Sequence, residues 1–296
     1  MSLTPFGQRV RNGPVVVADG AMGSILMEHG LEPGGCPEAM NMTRPELLET
    51  IAGIYVDAGA ELVHTNTFGG SPLKLASYEL DDTTEEINRS AAEAARRGVG
   101  DRAYVSGSVG PSGKLLEPYG DTPHVEVRRS FRRQVEALIE AGVDALTIET
   151  MIDHNEAALA IEAARAVSMD IPIMATMTFD TTPRGFYTIM GTDVQGAASG
   201  LLTAGADVVG SNCGHGSEVM VEIARAFREV TDAPLLIQPN AGAPQVVDGA
   251  IVYPESPEFM ARRARELFGL GVNVVGGCCG TTPEHIRAIK GAMTED

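Results

Sequence analysis

This sequence lacks the features that would mark a secreted, membrane-spanning or nucleic-acid-binding protein. Four cysteines among 296 residues, Cys36, Cys213, Cys278 and Cys279, are too few and too unevenly placed for the disulfide framework of a small extracellular domain. Clustered thiols in a reducing compartment point instead to metal binding or catalysis, and a cytoplasmic protein is expected. Basic residues are scarce: 22 against 40 acidic ones leave a net charge of −18, which repels phosphate backbones and anionic lipid surfaces. No apolar run approaches the roughly 18 to 20 residues that cross a bilayer. The opening stretch MSLTPFGQRVRNG has two arginines but no apolar segment after them, so a signal peptide is not expected. Tryptophan is absent and aromatics make up 5% of the chain, which leaves little material for an aromatic cage around a quaternary ammonium ion.

What is present is a repeating alternation. Short β-rich apolar runs occur at 15–20, 61–68, 103–110, 144–150, 171–179, 207–213, 235–242 and 272–280. Segments of helical spacing, rich in Ala, Glu and Arg and several of them closed by glycine, lie between successive runs and after the last. Eight strand and helix pairs predict a (β/α)8 TIM barrel, with longer loops after strands one, three and five. The competing doubly wound sheet would more often show five to seven strands and a G-x-G loop after the first, whereas ADGAMGSI spaces its glycines at 20 and 23. No linker or change of composition divides the chain, so one barrel domain over 1–296 is expected.

Active sites of such barrels lie at the C-terminal ends of the strands, and here the runs end in Asp19-Gly20, Asn66-Thr67, Ser108 to Gly110, Glu149-Thr150, Thr178 to Asp180, Asn212-Cys213, Asn240 to Gly242 and Gly276 to Gly280. Cys213 ends the sixth run and Cys278 and Cys279 the eighth, so three thiols come from strand ends two places apart. Three thiolates at one point make a soft site that suits zinc, with a fourth position open to exchange. Against this, a lone strand-end cysteine is commonly a small core residue, and neighbours on a regular strand point to opposite faces. Gly276, Gly277 and Gly280 answer the second objection, because their backbone freedom lets both side chains turn one way.

Other candidates are weaker as pattern. Glu149 at the tip of an apolar strand is costly to bury without a cation, which suits an ammonium ligand or else a salt bridge to a nearby arginine. The turn Asp19, Gly20, Ala21, Met22 and Gly23 either offers free amides to a carboxylate or is purely structural. The six histidines show no metal-ligand spacing; His215, near Cys213, reads as a loop residue and Cys36 as structural.

Taken together, NCG followed by GGCCGTTPEHI resembles the signature of the homocysteine S-methyltransferase family. DGAMGSIL, NTFGGSPLKL, GPSGKLLEPYG, IETM and QPNAGAP are similar to the homocysteine-binding domain of cobalamin-dependent methionine synthase, in order from about residue 13 to 290. The resemblance implies the same barrel fold. It also implies zinc on Cys213, Cys278 and Cys279, Asn240 as an exchangeable oxygen donor, Glu149 on the substrate amine and the Asp19 to Gly23 turn on its carboxylate. Asn66 and Thr67, within NTFGG, are further candidate substrate contacts. The implied activity is methylation of homocysteine to methionine. The folate, cobalamin and activation modules of methionine synthase are not found in the sequence, nor is a G-x-G loop for S-adenosylmethionine. The donors in view are methylcobalamin on a separate corrinoid protein, which the closeness to methionine synthase favours, then a sulfonium such as S-methylmethionine, then betaine. A non-catalytic homocysteine- or zinc-binding subunit of a methyl-transfer complex is the rival reading. A monomer or homodimer is expected.

Overall fold

A computed structural model describes residues 3–247 and 250–293. The ends of the expected 1–296 domain and residues 248 and 249 lie outside the described residues.

Eight parallel strands form the barrel: β1 (Val16–Val17), β2 (Leu62–His64), β3 (Tyr104–Val109), β4 (Ala145–Met151), β5 (Ile173–Met177), β6 (Val208–Gly216), β7 (Leu235–Asn240) and β8 (Val274–Val275). Each pairs with its sequence neighbours, β8 pairs with β1, and a parallel bridge from Ala18 to Leu62 closes the ring between β1 and β2. Eight outer helices follow the strands: α1 (Pro45–Asp57), α2 (Thr84–Val99), α3 (His124–Glu140), α4 (His154–Val167), α5 (Val194–Ala204), α6 (Ser217–Val230), α7 (Pro257–Gly269) and α8 (Pro283–Gly291). The strands read as continuous apolar runs because a parallel sheet is covered on both faces. Helix starts are fixed by polar caps: Asp193 accepts from the Gly196 amide at α5, and Ser256 from the Phe259 amide at α7. No helix among the described residues is long and apolar enough to cross a membrane.

The two-residue period of the strands sorts the barrel interior into layers. At the bottom, Leu62, Tyr104, Ala145, Met174, Val208, Leu236 and Val274 pack around Phe6 and Val10 of an N-terminal helix, Phe6–Asn12, that plugs the barrel. Two residues further along β2 to β5 come His64, Ser106, Thr147 and Thr176, and two further along β3 and β4 come Ser108 and Glu149. The alternate residues, among them Val63, Val105, Leu146, Ile148, Ala175, Val209 and Ile237, face outward into the larger apolar cluster shared with the helices. The interior therefore grades from an apolar plug to a polar mouth.

Two features differ from the expectation. The sequence predicts an eighth strand to 280, but strand pairing ends at Val275, so Cys278 and Cys279 stand in a turn. The loop after β7 is also long and carries a hairpin, Gln245–Val247 against Ala250–Val252, alongside the expected long loop after β5 with its own hairpin, Asp180–Thr182 against Gly185–Tyr187.

Candidate active site

The cysteine turn is held from both sides. The Gly277 amide donates to Asp19 O of β1 at 2.9 Å, the Cys278 amide to Pro239 O of β7 at 2.8 Å, and Cys279 O accepts from the Ala241 amide at 3.0 Å. Thr281 locks the turn: its hydroxyl donates to Cys278 O at 2.7 Å and accepts the Ala21 amide at 3.0 Å. Of the three glycines expected to bend this stretch, only Gly280 has a left-handed φ, 78°. Gly277 is needed for space, since a Cβ there would lie 2.3 Å from the Thr281 hydroxyl.

Across the mouth, β6 breaks its regular geometry after Asn212, where its register with β7 shifts. Cys213 takes φ 59°, the left-handed region that a side chain enters at a cost. The turn directs its sulfur to the cysteine pair: Cys213 Sγ lies 3.9 Å from Cys279 Sγ, and the three sulfurs all lie within 4.8 Å of one another. Hydrogen bonds from Cys278 and Cys279 lower the Cys213 thiol to about 3, while Cys279, facing that thiolate, rises to about 11 and Cys278 rises too. A divalent cation at this point would favour the thiolate form of all three sulfurs.

The donor set fits a thiophilic ion with three protein ligands. Asn240 supports the fit from the end of β7. It is buried and its Oδ1 has no hydrogen-bond partner. Tyr253, which the sequence did not single out, also reaches the cluster. Its ring stands where a Cβ on Gly280 would be, 2.1 Å away, and burial, with the negative charge of the nearby cysteines, pushes its phenol to about 12.

Glu149 stands beside this cluster with an edge open at the mouth. Ser108 Oγ donates to its Oε1 at 2.5 Å and Asn212 Nδ2 to its Oε2 at 3.3 Å. Burial raises its pKa, and His64 is the cation that opposes the rise. Asn212 ties the two halves of the site together, since its amide also donates to Thr150 Oγ1 at 2.8 Å and reaches Cys278 Sγ at 3.8 Å. Thr150 shares the left-handed conformation, φ 58°, at a register shift in β4.

The remaining candidates divide. The Asp19 carboxylate is occupied by His64, accepting its backbone amide at 2.8 Å and meeting Nδ1 at 2.6 Å. Within the Asp19 to Gly23 turn the Asp19 amide donates to Leu62 O and the Ala21 amide to Thr281, so Gly20, Met22 and Gly23 keep amides without such partners. Asn66 and Thr67 bond internally: Asn66 Nδ2 donates to Pro37 O and Asn41 Oδ1, and Thr67 Oγ1 to Ser108 O. They shape the pocket wall by fastening the first loop to β2. Cys36 is buried away from the sulfur cluster against Leu75 and Ile87, its thiol donating to Glu38 Oε2 at 3.3 Å and pushed by burial to about 11. His215 lies within β6, not in a loop, and its Nε2 has no hydrogen-bond partner. His64 has no metal-ligand spacing to mark it in the sequence. The signal available was its place at the end of the second run, next to Asp19 once the barrel closes.

Comparison with known proteins gives consistent results. The family model described as homocysteine S-methyltransferase matches residues 16–293. Methionine synthases of Mycobacterium leprae and Mycobacterium tuberculosis are each 34% identical over 298 residues, covering 94% of this chain. The chain spans 24% of their length. Among solved structures, the homocysteine methyltransferase MmuM from Escherichia coli superposes with a TM-score of 0.80 in both its oxidized and metallated forms. Identity is 23% and 22%, with 98% and 97% of this chain and 99% of each MmuM chain covered. At that identity the likeness speaks for the fold.

Proposed function

The chain belongs to the homocysteine S-methyltransferase family, and on that premise we propose that it binds zinc through Cys213, Cys278 and Cys279 and methylates homocysteine to methionine. The observation that carries this reading is the meeting of three sulfurs within 4.8 Å at the barrel mouth, contributed by the ends of β6 and β8. When bound, zinc keeps the substrate sulfur as a thiolate at neutral pH, where a free thiol with a pKa of about 8.5 is mostly protonated. The protein's own groups do the rest. Glu149 takes the substrate ammonium, held in place by Ser108 and Asn212. The unspent amides of Gly20, Met22 and Gly23 take the carboxylate, and Thr281 fixes that turn against the cysteines. Asn240 Oδ1, buried without a hydrogen-bond partner, would serve as the exchangeable fourth donor.

For the methyl donor we propose methylcobalamin carried by a separate corrinoid protein. The 34% identity to methionine synthases, of which this chain spans about a quarter, supports that choice over S-methylmethionine or betaine. The reading carries with it a single-domain, cytoplasmic monomer or homodimer that takes neither nucleic acid nor membrane as partner. The test is methyl transfer to homocysteine from methylcobalamin, S-methylmethionine and betaine in parallel, on protein of measured zinc content. Stoichiometric zinc lost together with methionine formation in Cys278→Ser is the expected result. Full activity in metal-free protein would overturn the zinc reading. Homocysteine binding without turnover from any of the three donors would favour a non-catalytic subunit.

A further inference from the structure

The pocket beside the sulfur cluster contains a buried charge arrangement that the proposed chemistry does not by itself require. Asp19 closes β1 with its carboxylate 2% exposed overall, and Glu149 closes the inward face of β4. His64 ends β2 between them, with Nδ1 on Asp19 Oδ1 at 2.6 Å and Nε2 on Thr147 Oγ1 at 3.1 Å. Thr147 lies two residues below Glu149 on the same face of β4, and it is bonded to Ser106 Oγ at 2.7 Å. The charged groups that face the imidazole are Asp19 and Glu149. Among the described residues, His64 is also the cation whose charge acts on Glu149.

Two carboxylates of like charge in a shared low-dielectric site cannot both stay ionised without a cation nearby. One imidazolium between them leaves these three groups at a net charge of −1, beside the Cys213 sulfur whose charge also acts on Glu149, and an incoming ammonium group offsets it. A neutral side chain at position 64 would leave the pair at −2, and the group best able to relieve that is Glu149, by taking a proton. Glu149 would then lose its charge-assisted hold on an ammonium ion.

We propose that His64 is a positioning residue that sets this chain's selectivity for thiols bearing an α-ammonium group, acting through Glu149. The proposal rests on the reading of Glu149 as the ammonium contact. Burial disfavours the imidazolium, but the Asp19 carboxylate, with Glu149 behind it, outweighs burial and lifts His64 to about 9, so it is cationic at neutral pH.

The experiment compares calorimetric binding of homocysteine and of 4-mercaptobutyrate, the same molecule without its amine, to zinc-loaded wild type, His64→Gln and Glu149→Gln. Wild type is expected to prefer homocysteine by about tenfold or more, the scale of one charge-assisted hydrogen bond. In His64→Gln the preference should collapse toward unity while 4-mercaptobutyrate binds as in wild type. Equal weakening of both ligands, or an unchanged preference, overturns the proposal, because a purely structural histidine would not act on the amine alone. Glu149→Gln tests the underlying reading separately: if it retains the wild-type preference, Glu149 is not the ammonium contact. Should His64→Gln fail to fold, 15N NMR of the wild-type imidazole at pH 7.5 decides. Both ring nitrogens protonated supports the proposal and a neutral ring overturns it.

Discussion

Replacing Thr281 by valine isolates the hydroxyl that joins the two halves of the active site. Valine keeps the volume but removes an acceptor for the Ala21 amide and a donor to Cys278 O. Cys278 O retains the Thr281 amide at 3.1 Å, so its loss is partial. The Ala21 amide has no second partner and Thr281 is 1% exposed, so the amide is left orphaned, at about 1–3 kcal/mol. With a further fraction of a net hydrogen bond at Cys278, the expected cost is about 2–3 kcal/mol, a roughly 30- to 150-fold shift in the folding equilibrium. Serine is the control: it keeps the hydroxyl and loses one methyl group, at about 1 kcal/mol. Urea unfolding of the metal-free proteins, compared at constant m-value, reads the difference. The valine protein should also bind homocysteine more weakly than the serine protein, because Ala21 belongs to the turn assigned to the substrate carboxylate. If serine destabilises as much as valine, the methyl group's packing holds the turn and the hydroxyl does not.

Cys213→Gly and Cys213→Ala both delete one sulfur of the proposed zinc site, but glycine relieves the left-handed backbone at φ 59°. The glycine variant should therefore unfold about 1 kcal/mol later than the alanine variant in chelator, and equal stability would show that the conformation is unstrained. Tyr253→Phe keeps the ring over Gly280 and removes the hydroxyl on which the cysteine charges act. Competition with a chromophoric chelator should show metal held roughly fivefold less tightly, about 1 kcal/mol, with little change in metal-free stability. His64 has a folded pKa of about 9 against 6.5 for an ordinary histidine. Its raised value contributes stability that is fully present below pH 6.5 and lost as pH rises through 9. In the Glu149→Gln background, where no carboxyl at position 149 can take a proton in place of the imidazole, the stability lost on changing His64 to Gln should thus shrink by up to about 3 kcal/mol over that window, and a flat difference in urea titrations would show a neutral imidazole.

The sequence by itself determined the barrel and the cysteines that its mouth brings together. Eight apolar runs alternating with helices have few ways to bury both faces of each strand, and the (β/α)8 closure observed is the one that puts every run inside. Because active sites of this fold gather at strand ends, Cys213, Cys278, Cys279 and Glu149 could be named from position alone. Tertiary structure decided how those residues meet. Cys213 reaches the pair through a left-handed turn that neither its own side chain nor the single glycine after it announces. The paired cysteines face one point because β8 ends at Val275 and the turn beyond it is held by Asp19, Pro239 and Thr281 from three other parts of the chain. His64 carries no local motif: its role depends on β1, β2 and β4 bringing Asp19, the imidazole and Glu149 together across 130 residues of sequence. Periodicity and strand-end position are local properties that a sequence displays directly. The charge balance of a buried pocket is a property of distances, and distances between strands exist only once the barrel closes.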